Sequence, residues 1–167
     1  MTQPASPFTW TIRDATPADH AAIKVMNDGI QQRELDLVGY PMLKPDQLPP
    51  SYLANILNRN VAEQGELLVC EAEGRVVGFL SGGQGDDDDI LVDPAFNTYA
   101  LITDLFVDPA YRSQGVAQAL MEVFADRMRA KGFRWLQIWA KAKNRKAIEA
   151  YLRFGFEPYE TGFVKPL

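Results

Sequence analysis

The chain has 167 residues, 47% hydrophobic and 23% charged, a globular composition with enough length for one domain without a disulfide or metal staple. A lone cysteine, Cys70, excludes an intramolecular disulfide framework and a zinc–cysteine cluster, and fits a reducing, cytoplasmic setting. The net charge of −5 argues against a nucleic-acid partner; no apolar run reaches the ~20 residues of a membrane span, and the first ten residues have no signal-peptide pattern.

Residues 1–7 read as a loose polar tail. Over 8–13, Phe8, Trp10 and Ile12 alternate with Thr9, Thr11 and Arg13, which predicts a strand. Thr16-Pro17-Ala18-Asp19 is a helix start, with Thr16 as N-cap and Asp19 at the capping-box position. This helix is predicted to end at 29–32, with Ala22, Ile23, Met26 and Ile30 on its apolar face. Pro41, Pro45, Pro49 and Pro50 keep 34–50 from forming a long regular helix. Ser51 then caps a second helix reaching about residue 64. Residues 66–72 and 75–81 are β-rich runs joined at Glu73-Gly74, the pattern of a hairpin, and 82–89 reads as a flexible acidic loop. Residues 98–107 form a strand bounded by Asp108-Pro109. An amphipathic helix follows over 115–131, its inner stripe Val116, Leu120, Val123, Phe124 and Met128. A strand over 133–140 and a short helix over 144–154, closed by Gly155, come next. Residues 156–167 are predicted to add short terminal strands. The β-α-β step over 98–140 demands a parallel pair with a right-handed crossover. The expected fold is therefore α/β with a mixed sheet.

Charge is divided unevenly. Residues 1–111 carry 17 acidic and 6 basic side chains, a net −11, whereas 112–167 carry 5 acidic and 11 basic ones, a net +6. Such asymmetry marks either an anion site on an acidic protein or a solvated basic helix face. At the start of the basic part, 107–117 (VDPAYRSQGVA) joins a strand to a helix. A turn of this kind aims backbone N–H groups at one point beside the positive end of the helix dipole. Gly115 allows close approach of a phosphate and Arg112 adds charge. The same residues also suit a plain helix N-terminus.

The hexapeptide Arg112-Ser113-Gln114-Gly115-Val116-Ala117 resembles the Arg/Gln-x-x-Gly-x-Gly/Ala signature of the GCN5-related N-acetyltransferase (GNAT) family. Leu105-Phe106-Val107-Asp108-Pro109 resembles the family's fourth strand and its exit. A second block, Asn144, Ala147, Tyr151, Gly155 and Phe156, resembles the family downstream. The close likeness covers about 98–160. It implies a mostly antiparallel sheet with one splayed parallel pair, flanked by helices, and acetyl-coenzyme A as cosubstrate with no metal. The pantetheine arm is then expected along Leu105, Phe106 and Val107, the pyrophosphate on the amides of 112–117, and a further contact from Asn144, which equally suits an N-cap. Lys141, Lys143, Arg145 and Lys146 are all candidates for the phosphates.

The implied reaction is direct transfer of acetyl from sulfur to the amine of a small molecule, amino acid or peptide. Neither nucleic acid nor membrane is expected as a partner, and a homodimer is left open. An alkylamine is only ~0.05% neutral at pH 7, a handicap of ~4–5 kcal/mol unless a base or a lowered pKa helps. Asp104, a carboxylate in an apolar strand, is the candidate base; the alternative is that it pairs with an arginine or bonds backbone amides. Some relatives carry glutamate one position earlier, where this chain has Thr103. Tyr151 matches the family's frequent acid for the leaving thiolate and otherwise reads as a core aromatic. Asp86–Asp89, Glu34 and Asp36 could attract a cationic substrate, though such charges are commonly solvated. His20 is placed on the surface. Trp135 and Trp139 are expected in the core, or along the substrate pocket. A coenzyme A-binding sensor without turnover is the alternative function.

Overall fold

The N-terminal alternation forms β1 (Trp10–Asp14) in the computed structural model, which describes residues 9–38, 42–59, 64–88 and 91–165. Phe8 and the tail lie outside the described residues. β2 (Glu66–Ala72), β3 (Arg75–Asp86), β4 (Thr98–Val107) and β5 (Leu136–Ile138) complete a five-stranded sheet in sequence order. The first four strands pair antiparallel, and β4 pairs parallel with β5. The mixed sheet and its parallel pair are thus as expected.

β2 and β3 are buried on both faces, so their apolar runs are nearly continuous. On one face, Leu67, Val69 and Phe79 pack with Ile23 and Met26 of α1 (His20–Val38) and Ile56 of α2 (Pro50–Leu57). On the other, Leu68, Cys70 and Leu80 meet Leu120, Phe124 and Met128 of α3 (Val116–Ala130), with Tyr151 and Phe154 of α4 (Arg145–Phe154) at the margin. A Cβ at Gly82 would lie 2.5 Å from the Leu101 carbonyl and 2.6 Å from the Phe124 ring. Glycine there lets α3 sit directly on the sheet.

Several boundaries differ from the sequence reading. α1 runs to Val38 rather than 29–32. Pro41 is the first residue ahead that forbids helix, and Lys143 Nζ donates to the Val38 carbonyl at 3.1 Å, a cation at the helix C-terminus. α2 begins at Pro50 and ends at Leu57, short of 64. The expected acidic loop is strand as far as Asp86, because 82–86 pair with β4 in register; Asp89 lies outside the described residues. β5 has three residues, limited to those facing Ala100–Ile102. Residues 156–165 add no strand, and Phe163 is 95% exposed. Trp135 and Trp139 are not core residues: they are 55% and 59% exposed, Trp135 lying edge-on to Phe96.

The capping box at the start of α1 is reinforced from β1. Arg13 donates from Nη1 and Nη2 to the two Asp19 oxygens at 2.8 and 2.9 Å, and the Thr16 N–H donates to Asp19 at 2.7 Å. These bonds hold the Asp19 carboxyl down at about 2. A depressed carboxylate stabilises the fold above its unfolded pKa and loses that contribution as pH falls through its folded value. Asp19→Asn is therefore expected to cost about 2 kcal/mol at pH 7. Denaturant titrations should show the difference from the parent shrinking below pH 4 and nearly vanishing at pH 2.

Candidate active site

β4 is irregular at its centre. Ser81 opposes Asp104, and Gly82 opposes Ile102, so Thr103 is an extra residue with no partner on β3. Such a bulge reverses the alternation of everything beyond it. Ile102 belongs to the α3 face, whereas Phe106, four residues on, packs on the α1/α2 face. The Thr103 hydroxyl donates to the Ser81 carbonyl at 3.1 Å, which fixes the bulge.

β5 stops at the same place. Its pairing with β4 covers Ala100–Ile102 only, so past Thr103 the two strands part and leave a wedge. The Asp108 N–H donates to the Val77 carbonyl at 2.8 Å, and the Phe106 carbonyl points at Gly78. Strand alternation then turns the N–H groups of Leu105 and Val107 toward the wedge. Phe106, expected with them, has its backbone engaged by β3 instead.

Asp104 is 8% exposed. Burial raises its pKa, opposed by Thr103, Arg59 and Tyr52 and assisted by the charge of Glu34. The Tyr52 hydroxyl donates to Asp104 Oδ1 at 3.4 Å and accepts from Gln31 Nε2 at 2.7 Å. Gln31 thus occupies the phenol's lone pair and leaves its proton for Asp104. Burial, followed by the Asp104 charge, raises the Tyr52 pKa and keeps that proton in place. Tyr52 and Gln31 were missed in the sequence, where nothing local distinguishes them from ordinary helix residues.

Tyr151, on α4, stacks edge-on against Phe156 with ring centres 6.0 Å apart. Burial and the Glu34 charge push its hydroxyl up to about 12, so it is protonated at neutral pH. Glu34 therefore lies within electrostatic reach of Asp104, Tyr52 and Tyr151. It sits on α1, not in the Pro-rich loop.

At the open end of the wedge, Ser113 and Gly115 adopt left-handed φ values of 61° and 85° before α3. The Ala119 N–H is bonded to the Gly115 carbonyl at 2.9 Å, leaving those of Val116, Ala117 and Gln118 unused within the helix. The space that a Cβ of Gly115 would enter is open to 4 Å. Alternating backbone of this kind with a helix dipole behind it forms an anion cradle. Arg112 Nε donates to the Val107 carbonyl at 2.9 Å, and the guanidinium lies over the Phe106 ring. The charge of Arg33 on α1 acts on Arg112, so two guanidinium groups share this end. Gln114 Nε2 is bonded to the Ala110 carbonyl.

Asn144 caps α4, its side chain accepting from the Ala147 N–H at 3.4 Å. Lys141 and Lys143 reach α1, at Glu34 and at the Val38 carbonyl. Arg145 and Lys146 are exposed at the start of α4. Asp86 pairs across from Thr98, five residues along β3 from Ser81 and so roughly 17 Å from the level of Asp104. His20 opens α1 away from these groups, half-buried.

The sequence profile of the acetyltransferase (GNAT) family matches residues 31–156. The chain belongs to this family. An uncharacterized N-acetyltransferase of Methanocaldococcus jannaschii is 32% identical over 98 residues, covering 59% of this chain and 42% of the relative. The chain thus aligns with about two-fifths of that protein's length. One from Mycobacterium tuberculosis is 24% identical over 132 residues, covering 71% and 76%. Among solved structures, the GCN5-related N-acetyltransferase of Ralstonia eutropha superposes with a TM-score of 0.74 at 20% identity, covering 95% and 99%. The aminoglycoside N-acetyltransferase AAC(6')-Iy, bound to a coenzyme A bisubstrate analogue, gives 0.71 at 18% identity, covering 95% and 98%. The GNAT profile takes in α4, the wedge and the turn before α3.

Burial of Asp104 has a consequence for stability. An acid whose folded pKa is raised confers most stability below its unfolded value and loses it as pH rises through the folded one. Asparagine keeps the shape and an acceptor for Tyr52 but cannot ionise. Asp104→Asn should therefore melt higher than the parent at pH 7–8, with the gap closing below about pH 4, the unfolded carboxyl range. Calorimetry across pH measures this directly.

Proposed function

We propose that the protein is an N-acetyltransferase that moves the acetyl group of acetyl-coenzyme A to a primary amine of a small molecule, amino acid or peptide. The reading is supported by the wedge beyond Thr103, which carries the buried Asp104 and is followed by the turn before α3, together with the protonated Tyr151 phenol of α4; the charge of Glu34 acts on both Asp104 and Tyr151. The cosubstrate fits the residues present. The amides of 116–118 and the guanidinium of Arg112 suit the pyrophosphate, and the exposed Arg145 and Lys146 are further candidates for the phosphates. The N–H groups of Leu105 and Val107 suit the pantetheine arm, and Asn144, which caps α4, is a candidate for a further contact. When bound, acetyl-coenzyme A supplies an acyl thioester as electrophile.

The side chains then have separate tasks. Asp104 accepts a proton from the incoming ammonium, and its raised pKa makes it a stronger base than an exposed aspartate. Tyr52, held by Gln31, keeps the carboxylate aimed. Thr103, where some relatives carry glutamate, is tied to Ser81 and takes no part in proton transfer. As nitrogen bonds to the acetyl carbon and the carbon–sulfur bond breaks, Tyr151 Oη gives its proton to the departing sulfur, and the second proton shed by the nitrogen restores the phenol. A Leu105 or Val107 N–H facing the wedge is positioned to stabilise charge on the carbonyl oxygen. The buried, reduced Cys70 fits a cytoplasmic location.

Coenzyme A should raise the melting temperature by mass action. Gly115→Asp, which puts a carboxylate into the cradle, should abolish that shift; unchanged affinity would remove the cradle from the reading. Tyr151→Phe should lower kcat for thiol release by about 10²-fold with little effect on coenzyme A affinity. A coenzyme A-binding module without turnover would show the thermal shift and no thiol release with any amine.

A further inference from the structure

Glu34 differs from the other acids of the chain in where it lies. Asn27, Gln31 and Glu34 are spaced to share one stripe of α1, and Gln31 marks that stripe as facing Tyr52 and the Asp104 side of the cleft. Asn27 is 2% exposed, and its Oδ1 has no hydrogen-bond partner among the described residues. The charge of Glu34 reaches Asp104 on β4, Tyr52 on α2 and Tyr151 on α4. Its own cation is Lys141, which reaches it from beyond β5 with Nζ and Oε2 3.8 Å apart; the two side chains are 44% and 26% exposed. That separation exceeds a charge-assisted hydrogen bond, and a pair so open contributes little to stability. The cleft therefore contains a carboxylate that already accepts an alkylammonium and holds it loosely.

The acceptor poses a problem that this carboxylate solves. Attraction to an acidic cleft requires a charged amine, whereas attack requires a neutral one. Asp104 is unsuited to hold the charge, because a cation resting on it would lower the pKa on which its basicity depends. A second amine separates the two requirements. One ammonium stays charged and is held, while the other loses its proton, helped by repulsion from its neighbour.

We propose that Glu34 seats a second, non-reacting ammonium of the acceptor in place of Lys141, so that the acceptor class is an aliphatic diamine or a larger molecule bearing two amines. The proposal rests on the acetyltransferase reading, and the test separates the two.

Thiol release from acetyl-coenzyme A is measured with n-alkylamines and with α,ω-diaminoalkanes of matched length. The parent, Glu34→Gln and Lys141→Met are compared by the ratio of kcat/KM for diamine to that for monoamine. For the best chain length the parent ratio should be on the order of tenfold, the scale of one hydrogen bond to a charged group. Glu34→Gln should bring it close to the statistical advantage of two amines, and Lys141→Met, which removes the resident competitor, should raise it several-fold on the scale of one ion pair. A pair that merely clasps α1 to the turn after β5 is broken by either substitution, so both would move the ratio in the same direction. That result, or a parent ratio at the statistical value, overturns the proposal and leaves acetyl transfer standing. If no amine releases thiol, acetyl transfer fails, and the thermal shift given by the diamine alone decides the seat. A shift lost in Glu34→Gln and kept in Lys141→Met supports it, and no shift in the parent overturns it.

Discussion

One extra residue in β4 organises the cleft. Thr103 has no partner on β3, and its hydroxyl is anchored to the Ser81 carbonyl. In an uninterrupted strand Ile102, Asp104 and Phe106 would all face α3. The bulge sends Phe106 to the α1/α2 side and brings Asp104 within reach of Tyr52. It also turns the free N–H groups of Leu105 and Val107 away from β3. Because β5 pairs only before the bulge, those groups open on a wedge and not on another strand. A single insertion thus supplies both a buried carboxylate and a row of donors beside it.

α1 serves both ends of that wedge with consecutive residues. Arg33 acts on Arg112 at the anion cradle, and Glu34 acts on Asp104, Tyr52 and Tyr151 at the inner end. Neighbours on a helix diverge by about 100°, so charges of opposite sign are held apart without a loop between them. The last turns of α1 depend on the opposite side of the wedge. Lys143 bonds the Val38 carbonyl and Lys141 reaches Glu34. The basic excess of the C-terminal third therefore serves partly to secure α1, whereas Arg145 and Lys146 are exposed at the start of α4.

The functional groups also show why polarity alone is an unreliable guide. Asp19 and Asp104 are both buried carboxylates. Asp19 has a bidentate arginine, and its pKa falls to about 2. Asp104 has a long hydrogen bond from a phenol at 3.4 Å, which burial outweighs, and its pKa rises. The first is a structural anion that stabilises α1, whereas the second is an acid whose ionisation burial opposes, at a cost to stability. The difference lies in whether a bidentate cation or burial dominates, not in the residue type.

Much of this was legible in the chain. The capping box at Thr16, the hairpin at Glu73-Gly74, the inner stripe of α3, the Asn144 cap and the Gly155 stop depend on neighbours within a few residues, and each appears where local chemistry put it. The turn Arg112–Ala117 was legible for the same reason, since a glycine before a helix is a local signal. What failed depended on distant partners. Residues 82–86 look like a loop until β4 supplies hydrogen bonds and α3 takes up the space left by Gly82. Glu34 looked like a loop residue because the support for the end of α1 comes from Lys143, 105 positions from its acceptor Val38. The link between Gln31, Tyr52 and Asp104 joins three elements and leaves no periodic trace in any of them. Sequence by itself determined the elements whose energies are local, together with the family. The tertiary structure decided the bulge, the wedge and the surroundings of Asp104 and Tyr52, because register and burial are set by contacts between residues far apart in the chain.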